Sequence, residues 1–130
     1  MSGYKELVVY KASYDAALQI HQLTQSFPKY ELYEIGSQLR RAAISIPLNI
    51  AEGYGRKTYQ KDFKNFLVTA LGSCNEVQVL LDMVKDLGYI DEQHEMLKET
   101  YDHIARQLAR FIQVVEKAKV ESRKSAVEKG

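Results

Sequence analysis

The chain has 130 residues, of which 45% are hydrophobic and 27% charged, with one cysteine, two prolines and no tryptophan. This length fits one domain and this apolar fraction excludes a disordered chain, while a lone cysteine excludes an internal disulfide and a cysteine-based structural zinc site. Eighteen basic and seventeen acidic residues give a formal net charge of +1, which by itself indicates no charged partner.

The sequence predicts no targeting or membrane segment. No apolar run approaches the roughly 20 residues of a transmembrane helix. Residues 1–10 contain Glu6 and lack the apolar core and the small-residue cleavage site of a signal peptide. Two prolines and seven glycines also disfavour an all-β sandwich, which needs many turns. We therefore expect a cytoplasmic protein without a membrane partner.

Apolar residues recur at spacings of three and four along most of the chain, a pattern that predicts amphipathic helices. The first helix is expected from Leu7 to Ser26, because Pro28 disfavours helical geometry in the residue before it. The second is expected from Tyr30 to Glu52, with glycines as its C-cap. The buried stripe of the first helix is expected at Tyr10, Tyr14, Ala17, Leu18 and Leu23.

The third helix is expected from Thr58 to Leu87, closed by Gly88, and the fourth from Asp91 to about Val120. Links of a few residues make consecutive helices antiparallel neighbours. The sequence therefore predicts an all-α fold, an antiparallel up-down-up-down four-helix bundle formed by residues 1–120. Residues 121–130 have little apolar content and are expected to form a frayed or disordered C-terminal tail.

Residues 38–56 depart from an ordinary amphipathic helix in two ways. Pro47 lies inside the helical pattern and crowds the carbonyl of Ala43, so the second helix is expected to kink there. Ser45 or Asn49 could bond to the carbonyl that the proline frees. Polar residues also follow one face of the helix: Gln38, Arg41, Ser45, Asn49 and Glu52. This polar stripe is either a solvated face or a contact surface between chains or with a ligand.

The same residues resemble the signature of the four-helix-bundle proteins encoded in intervening sequences of bacterial 23S ribosomal RNA genes. The match comprises Gln38, Arg40–Ala43, Ser45–Pro47, Asn49–Gly53, Gly55 and Arg56, and further similarity extends it over residues 6–117. Leu48 departs from the family, which often has a small residue there. The resemblance implies a bundle assembled as a ring of five subunits. It extends to the accessory protein of diversity-generating retroelements, which contacts a reverse transcriptase and nucleic acid.

The balanced net charge averages over segregated blocks. Residues 36–64 have a local charge of +4, residues 65–105 of −6 and residues 106–130 of +4. In an antiparallel bundle the two basic blocks meet at one end, which we call the basic pole, and the acidic residues 91–102 lie at the other. A basic pole is the feature expected of phosphate-backbone binding. Alternatively, these cations only complement helix dipoles and solubilise the surface, or they meet an acidic partner protein.

Two sets of candidate functional residues follow from these patterns. For RNA or DNA binding through the basic pole the candidates are Arg56, Lys57, Lys61, Lys64, Arg123 and Lys124, with Tyr54 and Tyr59 placed to stack on bases. For an oligomer interface or for fold specificity the candidates are Arg41, Ser45, Pro47, Asn49 and Glu52, and Arg40 suits either role.

The sequence predicts neither catalysis nor a cofactor or metal. The three histidines are scattered, and the Glu-x-x-His unit of di-iron bundles is missing. Cys74 has no histidine near it in sequence and is expected to be buried and inert. Gly72 is expected to permit close helix approach, and Tyr101 to be buried or at an interface, with a partner for its hydroxyl.

We therefore expect a non-enzymatic scaffold or adaptor that forms a homo-oligomer, a pentamer by the resemblance, and binds RNA or DNA through the basic pole. The alternative is a pure protein-interaction module, for example an accessory subunit of a polymerase or reverse transcriptase, without direct nucleic-acid binding.

Overall fold

Four long helices make up most of the chain in the computed structural model, which describes the backbone of residues 3–129 and the side chains of residues 3–118. The elements are a 3-10 turn at Tyr4–Glu6, then α1 at Val8–Thr24, α2 at Lys29–Leu32, α3 at Ile35–Gly55, α4 at Gln60–Asp86 and α5 at Gln93–Lys129. The part of the chain described contains no strand. The all-α four-helix bundle predicted from the sequence is confirmed.

Neighbouring long helices pack along their lengths, with α3 between α1 and α4, and α4 also against α5. Lys64 near the start of α4 pairs with Glu116 far along α5, whereas Asp82 near the end of α4 bonds to His94 at the start of α5. From the first contact to the second, the position moves towards the C-terminus of α4 but towards the N-terminus of α5. Such an order is expected where a short link joins antiparallel neighbours.

The core takes one stripe of side chains from each long helix. Its members with no exposed surface are Ala16, Ile20, Leu39, Ala43, Ile46, Ile50, Leu67, Ala70, Cys74, Val77, Leu81, Val84, Tyr101, Ile104 and Leu108. The burial predicted for Cys74 is confirmed. The hydroxyl of Tyr101 is buried but has no hydrogen-bond partner among the described residues, so the partner expected for it is missing.

The buried stripe predicted for α1 is wrong at Tyr14 and Leu18, whereas its other members Tyr10, Ala17 and Leu23 are partly buried and pack against the core. The face that packs inward consists of Val9, Ser13, Ala16, Ile20 and Thr24. Tyr14 and Leu18, which were expected inside, are 48% and 55% exposed. Polar residues are tolerated on the buried face because the hydroxyls of Ser13 and Thr24 bond to backbone carbonyls three residues earlier. Apolar residues occur at helical spacing on both sides of α1, so periodicity alone does not predict which side is buried.

The second predicted helix is interrupted after Leu32, where α2 ends. Arg40 donates from Nη2 to the Leu32 carbonyl at 3.0 Å and from Nη1 to the Thr24 hydroxyl at 2.9 Å. This guanidinium therefore supplies a donor to a carbonyl at a helix end and ties the break to the end of α1. Gly36 follows the break, where an added Cβ would lie 3.1 Å from the Glu31 carbonyl oxygen.

Glycines near the helix ends differ in their roles. Gly88 has a φ of +83°, and the backbone N–H groups of Gly88 and Tyr89 bond back into α4. This is the Schellman arrangement, so the predicted glycine stop of this helix is confirmed. Gly53 and Gly55 lie within α3, so the prediction that they cap it is wrong. Gly53 instead lies against α4.

The backbone of α5 continues to Lys129, so residues 121–129 are helical where a frayed or disordered tail is expected. Lysine, glutamate, arginine and alanine dominate this stretch, and all favour helix in the absence of glycine and proline. The side chains of Arg123 and Lys124 lie outside the residues whose side chains are described. Their assignment to the basic pole stays a prediction, as does the domain limit at residue 120.

Candidate interaction surfaces

The predicted polar stripe of α3 divides into an internal and an external part. Asn49 Nδ2 donates to Ser45 Oγ at 2.9 Å and to the Ser45 carbonyl at 2.8 Å, while Ser45 Oγ lies 2.9 Å from Ser73 Oγ of α4. These half-buried groups join α3 to α4 within one chain. Arg41 and Glu52 are exposed, which leaves them accessible to another molecule.

Two further residues of the motif, Pro47 and Arg40, contact other parts of the same chain. Pro47 is buried and lines a groove between α1 and α3. Asn49 bonds to the Ser45 carbonyl and not to that of Ala43, the carbonyl that Pro47 leaves without its helical donor. The kink at Pro47 stays a prediction. Arg40 makes its two bonds within the chain, which favours its structural role over binding of nucleic acid.

Gly53 has a packing role that the sequence analysis missed. A Cβ added there would lie 2.8 Å from Phe66 Cβ and 3.2 Å from Phe63 Cδ1. Only glycine lets α3 approach α4 this closely without displacing one of them. The close approach expected at Gly72 is wrong, since an added Cβ there would meet nothing within 4 Å.

At the basic pole, two of the candidate cations lie close to carboxylates. The guanidinium of Arg56 lies 3.9 Å from both the Glu52 and the Asp62 carboxylates. Lys64 pairs with Glu116 across α4 and α5. Exposed ion pairs of this kind stabilise little, but they offset part of the positive charge. The local charges of the sequence blocks already count Glu52, Asp62 and Glu116, so these pairs leave the sums unchanged but reduce the number of cations that are free of a nearby carboxylate.

Two other cations of the pole face solvent. Lys57 and Lys61 are exposed and lie within 4 Å of no carboxylate of the residues with described side chains. The ammonium of Lys57 lies 4.2 Å from the centre of the Tyr54 ring, which is half-buried against Phe63. Tyr59 is 69% exposed, so of the two predicted stacking residues this one presents its ring to solvent.

An apolar groove between α1 and α3 is the first surface that the sequence analysis missed. It has a volume of about 290 Å³ and contains the exposed side chains Leu18, Ile44 and Leu48, which we call the groove face. These residues are 55%, 46% and 59% exposed. The sequence signal was present in α1, but Leu18 was assigned to the core because of its spacing.

A second apolar surface lies on the outer side of α4. Val68, Val79 and Met83 are 47%, 59% and 47% exposed, and we call them the stripe face. They lie at helical spacing, on the side of α4 opposite the core residues such as Leu67 and Leu81. Because α4 has 27 residues and many of them are apolar, its length and composition alone would permit it to span a membrane. Here one side of the helix forms the core of the bundle instead.

Among the titratable groups of the described residues, Cys74 and Asp82 have pKa values that their surroundings shift. No group of three or more His, Cys, Asp or Glu side chains within the described range could hold a metal ion. Burial raises the pKa of the Cys74 thiol to about 12, which keeps it protonated and unreactive. Asp82 accepts hydrogen bonds from His94 at 2.7 Å and from Lys98 at 3.0 Å. The His94 bond, followed by that of Lys98, lowers the pKa of the Asp82 carboxyl.

The chain is similar to known proteins in both sequence and fold. The family model of the 23S rRNA-intervening sequence proteins matches residues 5–110. A solved structure of a protein with unknown function from the S23 ribosomal protein family of Bacteroides thetaiotaomicron VPI-5482 is 28% identical, with a TM-score of 0.71. That similarity covers 82% of this chain and 96% of the other. No curated protein matches this chain. Because the family model spans most of its length, the chain belongs to the 23S rRNA-intervening sequence protein family.

Proposed function

We propose that this protein is a non-catalytic cytoplasmic scaffold that assembles into a homo-oligomeric ring through its groove face and its stripe face. The observation that carries the proposal is the exposure of two unlike apolar faces on different helices. When one face of each subunit binds the other face of the next, the contact is heterologous and repeats until the ring closes. The family resemblance gives five as the number of subunits.

The charges beside the two faces are complementary. Arg41 is exposed and precedes Ile44 and Leu48 of the groove face by three and seven residues. Glu76 is exposed and precedes Val79 and Met83 of the stripe face by the same two spacings. An arginine beside one face and a glutamate beside the other favour contact between unlike faces over contact between like ones.

The two charges also lie at a similar height along the bundle. The bond between Ser45 and Ser73 sets the register of α3 against α4. Arg41 lies four residues before Ser45 and Glu76 three residues after Ser73, so both are about one helical turn from this bond, towards the same end. In a ring whose bundles stand side by side, Arg41 of one subunit would meet Glu76 of the next without any shift along the axis.

Light scattering on size-separated protein tests the assembly. We expect Leu48→Asp and Val79→Asp each to abolish the ring, because either charge would be buried in the contact. Leu48 is 59% exposed, so its burial would contribute about 1–2 kcal/mol per contact, which an aspartate removes. Val114→Asp is the matched control, since Val114 is 64% exposed but lies on α5, outside both faces.

Mixing the two variants distinguishes the ring from a symmetric dimer. The Leu48→Asp chain keeps an intact stripe face and the Val79→Asp chain an intact groove face, so an equimolar mixture should give heterodimers that stop at two subunits. A symmetric contact predicts that one variant still dimerises alone. A parent chain that is monomeric at micromolar concentration would refute the proposal altogether.

Nucleic-acid binding at the basic pole is the second candidate function. It is supported by Lys57 and Lys61, which face solvent, and by the exposed ring of Tyr59. We expect binding to a labelled RNA or DNA strand to weaken with rising salt, and to weaken strongly in the double variant Lys57→Glu and Lys61→Glu. Lys85→Glu, which reverses an exposed charge near the other end of α4, serves as the control.

Unchanged affinity for the RNA or DNA strand in the double variant would exclude the basic pole as the binding site. If no nucleic acid binds at low salt, and one polymerase or reverse transcriptase binds the purified ring directly, the scaffold is a pure protein-interaction module instead.

A further inference from the structure

We infer that the basic pole takes single-stranded rather than double-stranded nucleic acid, because a cluster of three tyrosines beside it is placed to stack on unpaired bases. The cluster consists of Tyr4, Tyr10 and Tyr14, at and just before the start of α1. This inference rests on the proposed nucleic-acid binding and specifies its substrate class.

The three rings form a continuous row. The ring centres of Tyr4 and Tyr10 are 4.9 Å apart in an edge-to-face arrangement, and those of Tyr10 and Tyr14 are 5.9 Å apart. Tyr14 is 48% exposed and the other two are partly exposed. None of the three hydroxyls has a hydrogen-bond partner among the side chains that the structure describes. The fold therefore makes no polar use of these phenol groups.

The row opens on a depression of about 400 Å³ that is lined by Tyr10 and Tyr14 together with Lys5, Lys11 and Asp15. Tyr10 and Tyr14 line both this depression and the groove that contains Leu18, Ile44 and Leu48, whereas Lys5, Lys11 and Asp15 line only this depression. Its two lysines are partly balanced by Asp15 and by the adjacent Glu6. We therefore assign it to base stacking, and the phosphate contacts to the pole itself.

The tyrosine cluster lies near the exposed lysines of the pole. Tyr4 and Tyr10 line the groove with Ala51, which is five residues before Arg56 at the end of α3. Five residues of α-helix span about 7.5 Å, roughly the reach of one or two nucleotides of an extended strand. A strand whose bases stack on the tyrosines can therefore run its phosphates past Lys57 and Lys61.

Stacking on side chains requires bases whose faces are exposed. A duplex keeps those faces inside its own base stack, whereas a single strand can present them to aromatic rings. Binding by lysines alone would not distinguish the two forms in this way, because both carry phosphates. The tyrosine cluster therefore predicts a preference for single-stranded over double-stranded nucleic acid, which the lysines alone do not predict.

Fluorescence anisotropy with three labelled probes of equal length tests the inference: an oligodeoxythymidine strand, the same strand without bases, and a duplex. We expect the strand with bases to bind at least about fivefold more tightly than the abasic strand, since one stacked base contributes that much or more. Binding should also change the tyrosine emission, which no tryptophan obscures.

Tyr14→Leu should remove most of the difference between the first two probes, while keeping an apolar side chain on α1. Tyr33→Leu is the control, because Tyr33 is 72% exposed but follows α2, at the other end of α1 and α3. Equal affinity for strands with and without bases would overturn the inference and leave phosphate binding at the pole intact. Equal affinity for the single strand and the duplex would also overturn the inference. The same holds if Tyr14→Leu changes the subunit number but none of the affinities. If none of the probes binds, the proposed nucleic-acid function fails as well.

Discussion

Replacing Gly53 with alanine tests the closest contact between α3 and α4. The added Cβ would lie 2.8 Å from Phe66 Cβ, whereas ordinary contacts begin at 3.4 Å, so the helices must separate by about 0.6 Å. Overpacking of a core costs about 1–3 kcal/mol, and alanine regains about 1 kcal/mol of helix propensity over glycine. Because Phe66 Cβ is fixed to its backbone, the upper part of the range applies. We expect the free energy of unfolding to fall by about 1–2 kcal/mol.

Gly72→Ala is the matched control, because this glycine lies within α4 and an added Cβ would meet nothing within 4 Å. It should raise the free energy of unfolding by about 1 kcal/mol through helix propensity alone. The difference between the two variants therefore isolates the clash, about 2–3 kcal/mol. Urea unfolding followed by circular dichroism measures it, at a chain concentration where both variants have the same subunit number. Equal stability of the two variants would refute the close approach at Gly53.

Three further expectations concern the fold. Arg40→Lys should lower the free energy of unfolding by about 1–3 kcal/mol, because one ammonium cannot replace both guanidinium bonds. Arg41→Lys, at an exposed site, should change it little. Equal losses in the two variants would contradict the structural role of Arg40. The pKa of Asp82 is lowered chiefly by the His94 bond, so its carboxylate stabilises the fold above the ordinary value of 3.8. The stability advantage over Asp82→Asn in urea unfolding should therefore be lost as the pH falls below that value, and a constant advantage would argue against the bond. A disulfide reagent at pH 8 should label Cys74 only at the rate of global unfolding, because the thiol is buried and its burial raises the pKa to about 12. Fast labelling of the folded chain would disprove this burial.

Most of the secondary structure could be predicted because its causes are local. The spacing of apolar residues gave the long helices, and Gly88 marked the end of α4 through a backbone conformation that glycine adopts readily. The core residues of α3 and α4 were also predictable, since Leu39, Ile46 and Leu67 belong to the main apolar stripe of their helix, which recurs at steps of three and four.

The candidate surfaces were less predictable, because they depend on which residues the other helices cover. The charge blocks predicted Lys57 and Lys61 as candidates, and both are exposed, but the pairing of Lys64 with Glu116 joins residues far apart in sequence. The bond between Ser45 and Ser73 likewise connects two helices, so the sequence alone left an external role open for Ser45.

By itself, the sequence determined an all-α chain of four long helices and its family, because periodicity and a contiguous motif are properties of neighbouring residues. Only the tertiary structure decided which side of α1 is buried, and that Arg40 holds the end of α2. It also decided that Gly53 is needed for contact with α4 and not as a cap. The physical reason is that burial is set by competition among helices. Each of α1 and α4 has two apolar sides, and the bundle covers one of them and leaves the other as surface.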